Sequence, residues 1–259
     1  MICNYHTHTF RCHHAEGTER EYIENAIAGG IKKMGFSDHM PFIFPDGFRS
    51  DYRVDPEDAE DYAATVLSLK EEYRGEIEIY LGFEMEFYPK YFDRMYSDAL
   101  RFGAEYLILG QHFTRNEHPD GFYCGCPTSS MEELKCFVDD TVSGIESGVF
   151  SYVAHPDLIN FKGECEVYKK EMRRICEAAK TAGIPLEINL LGIRRNRCYP
   201  NPDFWRVAGE VGCKAVLGFD AHTAPDAYDA ESIPAAERLA EECGVVIEDD
   251  PKLVILGGK

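Results

Sequence analysis

Short apolar runs alternate with longer stretches of helical spacing along the chain. Seven runs rich in aliphatic, aromatic or β-branched residues predict strands. They are Ile2–Tyr5, Lys33–Phe36, Ile77–Phe83, Tyr106–Leu109, Phe150–Ala154, Pro185–Ile188 and Ala215–Phe219. Repeated alternation of strand and helix is typical of parallel βα units. Since composition is even and no linker or repeat interrupts it, residues 1–259 are expected to form a single α/β domain.

The helical segments carry recognisable start and stop signals. Thr18 and Glu21 have the spacing of a capping box ahead of an amphipathic stretch that ends at Gly29 and Gly30. Further helices are predicted at 56–73, 91–102, 131–147, 166–182, 203–211 and 233–243. Glycines at or just past several of these ends suit the left-handed turn that closes a helix. Residues 245–247 are expected to form a short strand or an extended tail.

Side chains able to bind metals follow nearly every predicted strand. In chain order these are His6 and His8, Asp38 and His39, Glu84, His112, His155 and Asp157, Asn189, and Asp220 and His222. His14 follows the first strand by a few residues. In a β/α barrel the carboxyl ends of the strands converge on one face, where active sites are built. We therefore expect these residues to meet in one cleft.

Imidazole and carboxylate groups are ligands of zinc, iron and manganese. The histidines exceed what one tetrahedral ion can use, which implies more than one ion. His6 and His8 are separated by one residue, as are Asp220 and His222, so both members of each pair point to the same face of a strand. Taken singly, these residues also have structural interpretations that need no metal. His112 can be a hydrogen-bonded structural residue, and Glu84 and Glu86 can be solvated surface acids. Asp157 and Asp220 can cap a turn or a helix.

The balance of charged residues excludes some classes of function. Lys and Arg total 27 against 46 Asp and Glu, a formal net charge of -19 that repels nucleic acid. No apolar run approaches the ~18 residues of a membrane helix, and the first residues lack the pattern of a signal peptide. We expect a cytoplasmic protein with neither a membrane nor a nucleic-acid partner.

The ten cysteines are expected to be reduced thiols. Cys124 and Cys126 are close in sequence, but no second pair of cysteines matches them, as a metal or redox site of four cysteines would need. Cys12 stands out because histidines follow it.

Several motifs resemble one family in order and spacing. They are Tyr5-His6-Thr7-His8-Thr9, Cys12-His13-His14, Gly35-Phe36-Ser37-Asp38-His39, Gly82-Phe83-Glu84, Gly110-Gln111-His112-Phe113, Ala154-His155-Pro156-Asp157, Glu187-Ile188-Asn189 and Asp220-Ala221-His222. The sequence resembles the PHP (polymerase and histidinol phosphatase) superfamily, in its histidinol-phosphate phosphatase branch. The resemblance implies a distorted, TIM-like (β/α)7 barrel with a site for three divalent metal ions, variously zinc, iron or manganese.

The resemblance also assigns ligands. It places His6, His8, Glu84 and Asp220 around a first metal, with Glu84 bridging to a second metal that His112 and His155 also hold. The third metal falls to His14, His39 and His222. His13 competes with His14, but the six-residue step from His8 favours His14.

The segment after the sixth predicted strand supplies candidate phosphate ligands. Arg194, Arg195 and Arg197 follow it, and a guanidinium suits bidentate contact with phosphate oxygens. Arg194 is expected to steady the phosphate, while Asp220 and His222, or the third metal beside them, assist catalysis. Glu86 and Asp157 are the expected contacts for the ammonium and imidazole of the substrate.

The implied reaction is hydrolysis of L-histidinol phosphate to L-histidinol and phosphate by a hydroxide that bridges two metals. Gly110 and Gly218 depart from the Ser-containing motifs common in that branch, which leaves another small phosphate ester as the alternative substrate. A PHP nuclease or phosphodiesterase, an amidohydrolase and a non-catalytic metal-binding module are the other hypotheses. The sequence leaves metal identity and oligomeric state open.

Overall fold

The computed structural model describes residues 3–257, so the predicted first residue of the first strand, Ile2, lies outside the described part. The strands are β1 Cys3–Asn4, β2 Lys33–His39, β3 Glu78–Met85, β4 Tyr106–Leu109, β5 Leu186–Asn189, β6 Lys214–Gly218 and β7 Val246–Ile247. They form two parallel sheets of order β1-β2-β3-β4 and β5-β6-β7. The short segment after the last predicted helix thus joins the sheet as a strand beside β6.

Helices separate most of the strands. They are α1 Glu19–Ala28, α2 Ala59–Glu72, α3 Phe92–Arg101, α4 Met131–Glu146, α5 Cys165–Ala182, α6 Leu190–Arg194, α7 Pro202–Val211 and α8 Ile233–Cys243. The predicted capping box of α1 is present in full, with Thr18 and Glu21 each bonded to the backbone of the other. Among residues 3–257, no helix has the length and apolar character needed to cross a bilayer.

The predicted strand Phe150–Ala154 is not a regular strand. Its one bridging residue is Val153, which pairs in parallel with Leu109 on one side and Leu186 on the other. The backbone of the segment is nevertheless hydrogen-bonded to β4 at successive positions. The amide of Ser151 donates to the carbonyl of Leu107, and Leu109 donates to Tyr152 and accepts from Ala154. The segment thus joins the edge of the four-stranded sheet to the edge of the three-stranded sheet.

A second bridge joins the chain just after β1, an edge strand, to the chain just after β6, the middle strand of the other sheet. Thr7, just after β1, pairs in parallel with Ala221, just after β6. The amide of His8 donates to the carbonyl of Ala221 over 3.0 Å, and the amide of Ala221 donates to the carbonyl of His6 over 3.2 Å. This contact brings the histidines after β1 beside Asp220 at the end of β6.

Strand register places polar residues at one edge of the sheets. His39 of β2 lies opposite Glu84 of β3, and Asn189 of β5 lies opposite Gly218 of β6. Since all the paired strands are parallel, their carboxyl ends share this edge. The fold is therefore an α/β structure with parallel half-barrel sheets, and its candidate chemistry lies at the carboxyl ends of the strands.

Candidate active site

Glu84 and Asp220 lie at the centre of a buried histidine cluster. Oδ1 of Asp220 lies 3.7 Å from Nε2 of His6 and 3.3 Å from Nε2 of His8. Oε2 of Glu84 faces the same two nitrogens at 3.5 and 3.6 Å. All four side chains are buried. These are the residues that the sequence assigned to a first metal.

The other oxygen of Glu84 faces a second pair of histidines. Oε1 lies 2.7 Å from Nε2 of His155 and 3.5 Å from Nε2 of His112. The two imidazole rings have centroids 4.8 Å apart. A carboxylate that presents one oxygen to each of two ligand sets has the geometry of a bridging ligand.

A third cluster contains His14, His39 and His222, each with a ligand nitrogen within 4.8 Å of the others. Nδ1 of His14 lies 2.7 Å from the carbonyl of Cys12, and Nδ1 of His222 lies 3.1 Å from the carbonyl of Asp220. These contacts make Nδ1 the donor and leave Nε2 free to bind a cation. His13, the competitor of His14, points elsewhere, with its Nε2 3.4 Å from Asp55.

In the first cluster, the distances between ligand atoms and the unpartnered imidazole nitrogens are those expected of a metal site. Around a tetrahedral ion with bonds of about 2.0–2.1 Å, ligand atoms lie about 3.4 Å apart. The separations around Asp220 and Glu84 fall close to that value. Nε2 of His6 and Nε2 of His8 are also buried and make no hydrogen bond. Buried polar atoms without a partner are costly, so a cation between them accounts for their placement.

The charges around the histidines also support cation binding at this cluster. Burial by itself lowers the pKa of His6, but the negative charges of Glu187, Asp220 and Glu84 outweigh burial and raise that pKa to about 10. Positive charge is therefore favoured beside these carboxylates. At His14, burial and the neighbouring His222 and His8 lower the pKa to about 4, so this imidazole is neutral, as a metal ligand must be.

A carboxylate contacts the outer nitrogen of each of three candidate ligands. Nδ1 of His6 lies 2.8 Å from Glu187, and Nδ1 of His112 lies 2.9 Å from Glu86. Nδ1 of His8 lies 3.4 Å from Asp38. Such contacts fix the ring orientation and direct Nε2 toward a metal. The sequence indicated no positioning role for Glu187, Glu86 or Asp38.

Glu187→Gln tests this positioning. The amide keeps the volume of the side chain but removes the negative charge that faces His6, so we expect metal affinity to fall about 10- to 100-fold. Competition with a chelating dye measures the change. Glu166→Gln, on the exposed surface of α5, is the matched control. Unchanged metal affinity in Glu187→Gln would contradict the positioning role.

Two glycines make room for the central carboxylates. A side-chain carbon at Gly110 would overlap Glu84, and one at Gly218 would overlap Glu187. These are the two positions at which the sequence departs from the Ser-containing motifs of the histidinol-phosphatase branch. In this chain, therefore, both departures leave room for carboxylates beside the candidate metal ligands.

An aromatic and cationic wall completes the cleft above the histidines. The cleft has a volume of about 760 Å³ and reaches from His14 and His222 to His112 and His155. Beyond the candidate metal ligands it is lined by Tyr52, Phe113, Tyr123, Leu158, Leu191, Arg195, Arg197 and Tyr199. Arg195 and Arg197 thus line the space in front of the candidate metal ligands.

Three predicted substrate contacts lie outside the lining of this cleft. Arg194 donates to the carbonyls of Phe219 and Asp220, each over 3.0 Å, and its guanidinium pairs with Asp229 at 3.1 Å. Glu86 is buried behind His112. Asp157 is buried as well, with one oxygen 2.5 Å from the amide of Asn201; burial raises its pKa to about 7.

Two loops that flank the cleft are joined by a buried ion pair, which we call the Arg53–Glu117 latch. Nη2 of Arg53 lies 2.8 Å from Glu117 of one loop and 2.6 Å from Glu86 at the end of β3. Tyr52, which lines the cleft, donates to Glu117 as well. Since Glu86 in turn contacts His112, the latch connects the entrance of the cleft to a candidate metal ligand. No motif in the sequence indicated it.

Comparison with known proteins identifies a family for this chain. The PHP domain family model matches residues 4–190. A probable histidinol-phosphatase of Deinococcus radiodurans is 29% identical over 230 residues, which cover 85% of this chain and 86% of the relative. The histidinol-phosphatase of Bacillus subtilis is 29% identical over 258 residues, covering 87% of this chain and 96% of the relative.

Solved structures share the fold. The histidinol phosphate phosphatase of Lactococcus lactis, complexed with zinc, L-histidinol and phosphate, superposes with a TM-score of 0.71 at 19% identity, covering 95% of each chain. A putative histidinol phosphatase of Listeria monocytogenes gives a TM-score of 0.71 at 18% identity, covering 89% of this chain and 99% of the other. The family match over most of the chain confirms the resemblance seen in the sequence motifs. The chain belongs to the PHP domain family.

Proposed function

We propose that this protein is a metal-dependent phosphomonoesterase that hydrolyses L-histidinol phosphate to L-histidinol and phosphate. The relatives named above act on this ester according to their names, and their lengths match that of this chain. We also infer that residues 1–259 form one domain, in which the bridges at Val153 and Thr7 close the two sheets into a distorted barrel of seven βα units.

The placement of Glu84 carries the proposal. One of its oxygens faces His6 and His8, and the other faces His112 and His155. With His14, His39 and His222 as a third set, the residues suit three divalent ions, for which zinc, iron and manganese are the candidates. When bound, such ions lower the pKa of a bound water toward neutrality and neutralise charge on a phosphate group.

The side chains of the chain itself bind and orient the ester. Arg195 and Arg197 face the cleft and are the proposed contacts of the phosphate oxygens. Arg194, bonded to the backbone of Phe219 and Asp220, positions the loop that carries Asp220. We assign Asp220 and His222 to the catalytic centre, since Asp220 orients His222 from 3.2 Å and His222 lines the cleft beside the reacting group.

The alcohol part of the ester faces the aromatic wall. Tyr52, Phe113 and Tyr123 give this wall flat rings against which an imidazole can stack. Glu86 and Asp157 do not line the cleft, so the ammonium group lacks the two carboxylates first expected for it. That placement favours a second candidate, hydrolysis of another small phosphate ester by the same centre.

Phosphate release from a panel of monoesters tests the proposed function. Protein loaded with zinc, manganese or iron, and analysed for metal, is expected to hydrolyse histidinol phosphate with the highest kcat/KM of the panel. A large preference for another monoester would refute the substrate and leave the reaction class intact. A metal-loaded protein inert toward the whole panel would refute both.

Arg197→Ala is expected to weaken use of the phosphate ester. A hydrogen bond to a charged group contributes about 1.5–3 kcal/mol, which corresponds to a loss of roughly 10- to 150-fold in kcat/KM. Steady-state kinetics measure the change, and metal analysis checks that the ions are retained. Arg206→Ala, an exposed arginine paired with Asp203, is the control. Equal kcat/KM in Arg197→Ala and the control would remove Arg197 from the phosphate site.

A further inference from the structure

Cys12 lies beside the third histidine cluster, and the function proposed above does not use it. The residue ends the short 3-10 helix Phe10–Cys12 and is fully buried. Its thiol donates to the carbonyl of Thr9 over 3.1 Å, and Sγ lies 3.9 Å from Nε2 of His14. One ligand atom each of Cys12, His8 and His222 lies within 4.8 Å of the others.

The distance from sulfur to His14 fits joint ligation of one ion. With bonds of about 2.3 Å to sulfur and about 2.0–2.1 Å to nitrogen, a tetrahedral zinc ion holds the two atoms about 3.6 Å apart. The observed 3.9 Å differs by a few tenths of an ångström. The carbonyl of Cys12 engages Nδ1 of His14, so Nε2 is the nitrogen left to share a cation with the sulfur.

The thiol also lies between two of the candidate metal sets. His8 belongs to the first set and His222 to the third, and Cys12 forms a candidate metal-binding group with both. The ring of His8 stacks on that of His222 with centroids 4.2 Å apart. The thiol therefore lies among imidazoles that already have the geometry of metal ligands. Three imidazoles, from His14, His39 and His222, also leave one position of a tetrahedral ion to be filled.

We propose that Cys12 is a further metal ligand, whose sulfur supplies the fourth donor to the ion held by His14, His39 and His222. This inference rests on the metal centre of the proposed function. On binding, the S–H bond breaks, a sulfur–metal bond forms and the proton passes to solvent. Thiolate is a soft ligand, so this position favours zinc or iron over manganese.

Cobalt substitution tests the assignment. Metal-free protein is titrated with Co²⁺, and the near-ultraviolet spectrum is followed for a sulfur-to-cobalt charge-transfer band. We expect the band in the wild-type protein and its loss in Cys12→Ser, with the visible cobalt bands retained. Cys3→Ala is the matched control, because Cys3 is also buried but lies at the start of β1. The control is expected to keep the band.

Zinc-edge X-ray absorption of the wild-type protein gives a readout that needs no variant. A sulfur neighbour at about 2.3 Å is expected. Cobalt or zinc bound with no sulfur signal, or a charge-transfer band that survives in Cys12→Ser, would overturn the assignment. If such a protein still releases phosphate, the proposed function stands and only Cys12 is excluded. A protein that binds neither metal and releases no phosphate would overturn both proposals.

Discussion

Glu84→Gln is expected to reduce kcat/KM for ester hydrolysis by about 10³-fold or more and to lower the metal content of the purified protein. The substitution keeps the shape of the side chain but removes the charge that both of its oxygens present to histidine nitrogens. Metal-ion catalysis contributes several kcal/mol, and each 1.36 kcal/mol is a factor of about ten in rate. Steady-state kinetics with elemental analysis of the same sample measure both effects.

Glu78→Gln provides the control for that experiment. Glu78 begins the same strand, β3, but is exposed and bonded to Tyr80. The control is expected to keep full activity and metal content. Wild-type activity in Glu84→Gln, or activity lost while metal content is unchanged, would exclude the bridging role of Glu84.

Removal of the metal ions by a chelator is expected to abolish phosphate release and to lower the melting temperature. An ion present at 100 times its Kd, and bound only by the folded protein, stabilises it by about 2.7 kcal/mol. For a chain of this size each kcal/mol shifts the melting temperature by about 2–4 °C, so loss of one ion predicts a fall of roughly 5–10 °C. Thermal denaturation before and after chelation measures it.

Addition of zinc or manganese to the chelated protein is expected to restore both properties. Chelator saturated with metal beforehand serves as the control and is expected to change neither. Protein shown by elemental analysis to be metal-free, yet with undiminished hydrolysis and an unchanged melting temperature, would refute the metal-dependent mechanism.

Elements bounded by strong local signals could be predicted from the sequence. The four residues of β4, Tyr106–Leu109, are all buried and end before Gly110, and the capping box of α1 fixes its start. Phe150–Ala154 has the same apolar character and bonds to β4 and to the β5 side, but only Val153 forms β-bridges, so it is not a regular strand. An apolar pattern indicates burial and does not show whether the backbone geometry is regular. The five residues of α6 are too few to show helical periodicity.

The candidate ligands were found because parallel strands end at one edge. The positioning contacts of Glu187, Glu86 and Asp38 with these ligands were missed, since contacts across strands have no local pattern. Glu187 did leave a signal: a charged residue inside the apolar run of β5 must find a partner if it is buried. Arg194 and Arg195 are adjacent, and successive helical residues point about 100° apart, so sequence alone could not select the one that faces the cleft.

The Arg53–Glu117 latch couples the entrance of the cleft to one of the candidate metal ligands. Its loops shape the entrance through Tyr52, and Glu86 contacts both Arg53 and His112. An exchange of residues in either loop is therefore compatible with an unchanged His112 only where the contact between Arg53 and Glu86 is kept. Variation in the shape of the entrance is thus constrained by the placement of an imidazole deep in the cleft.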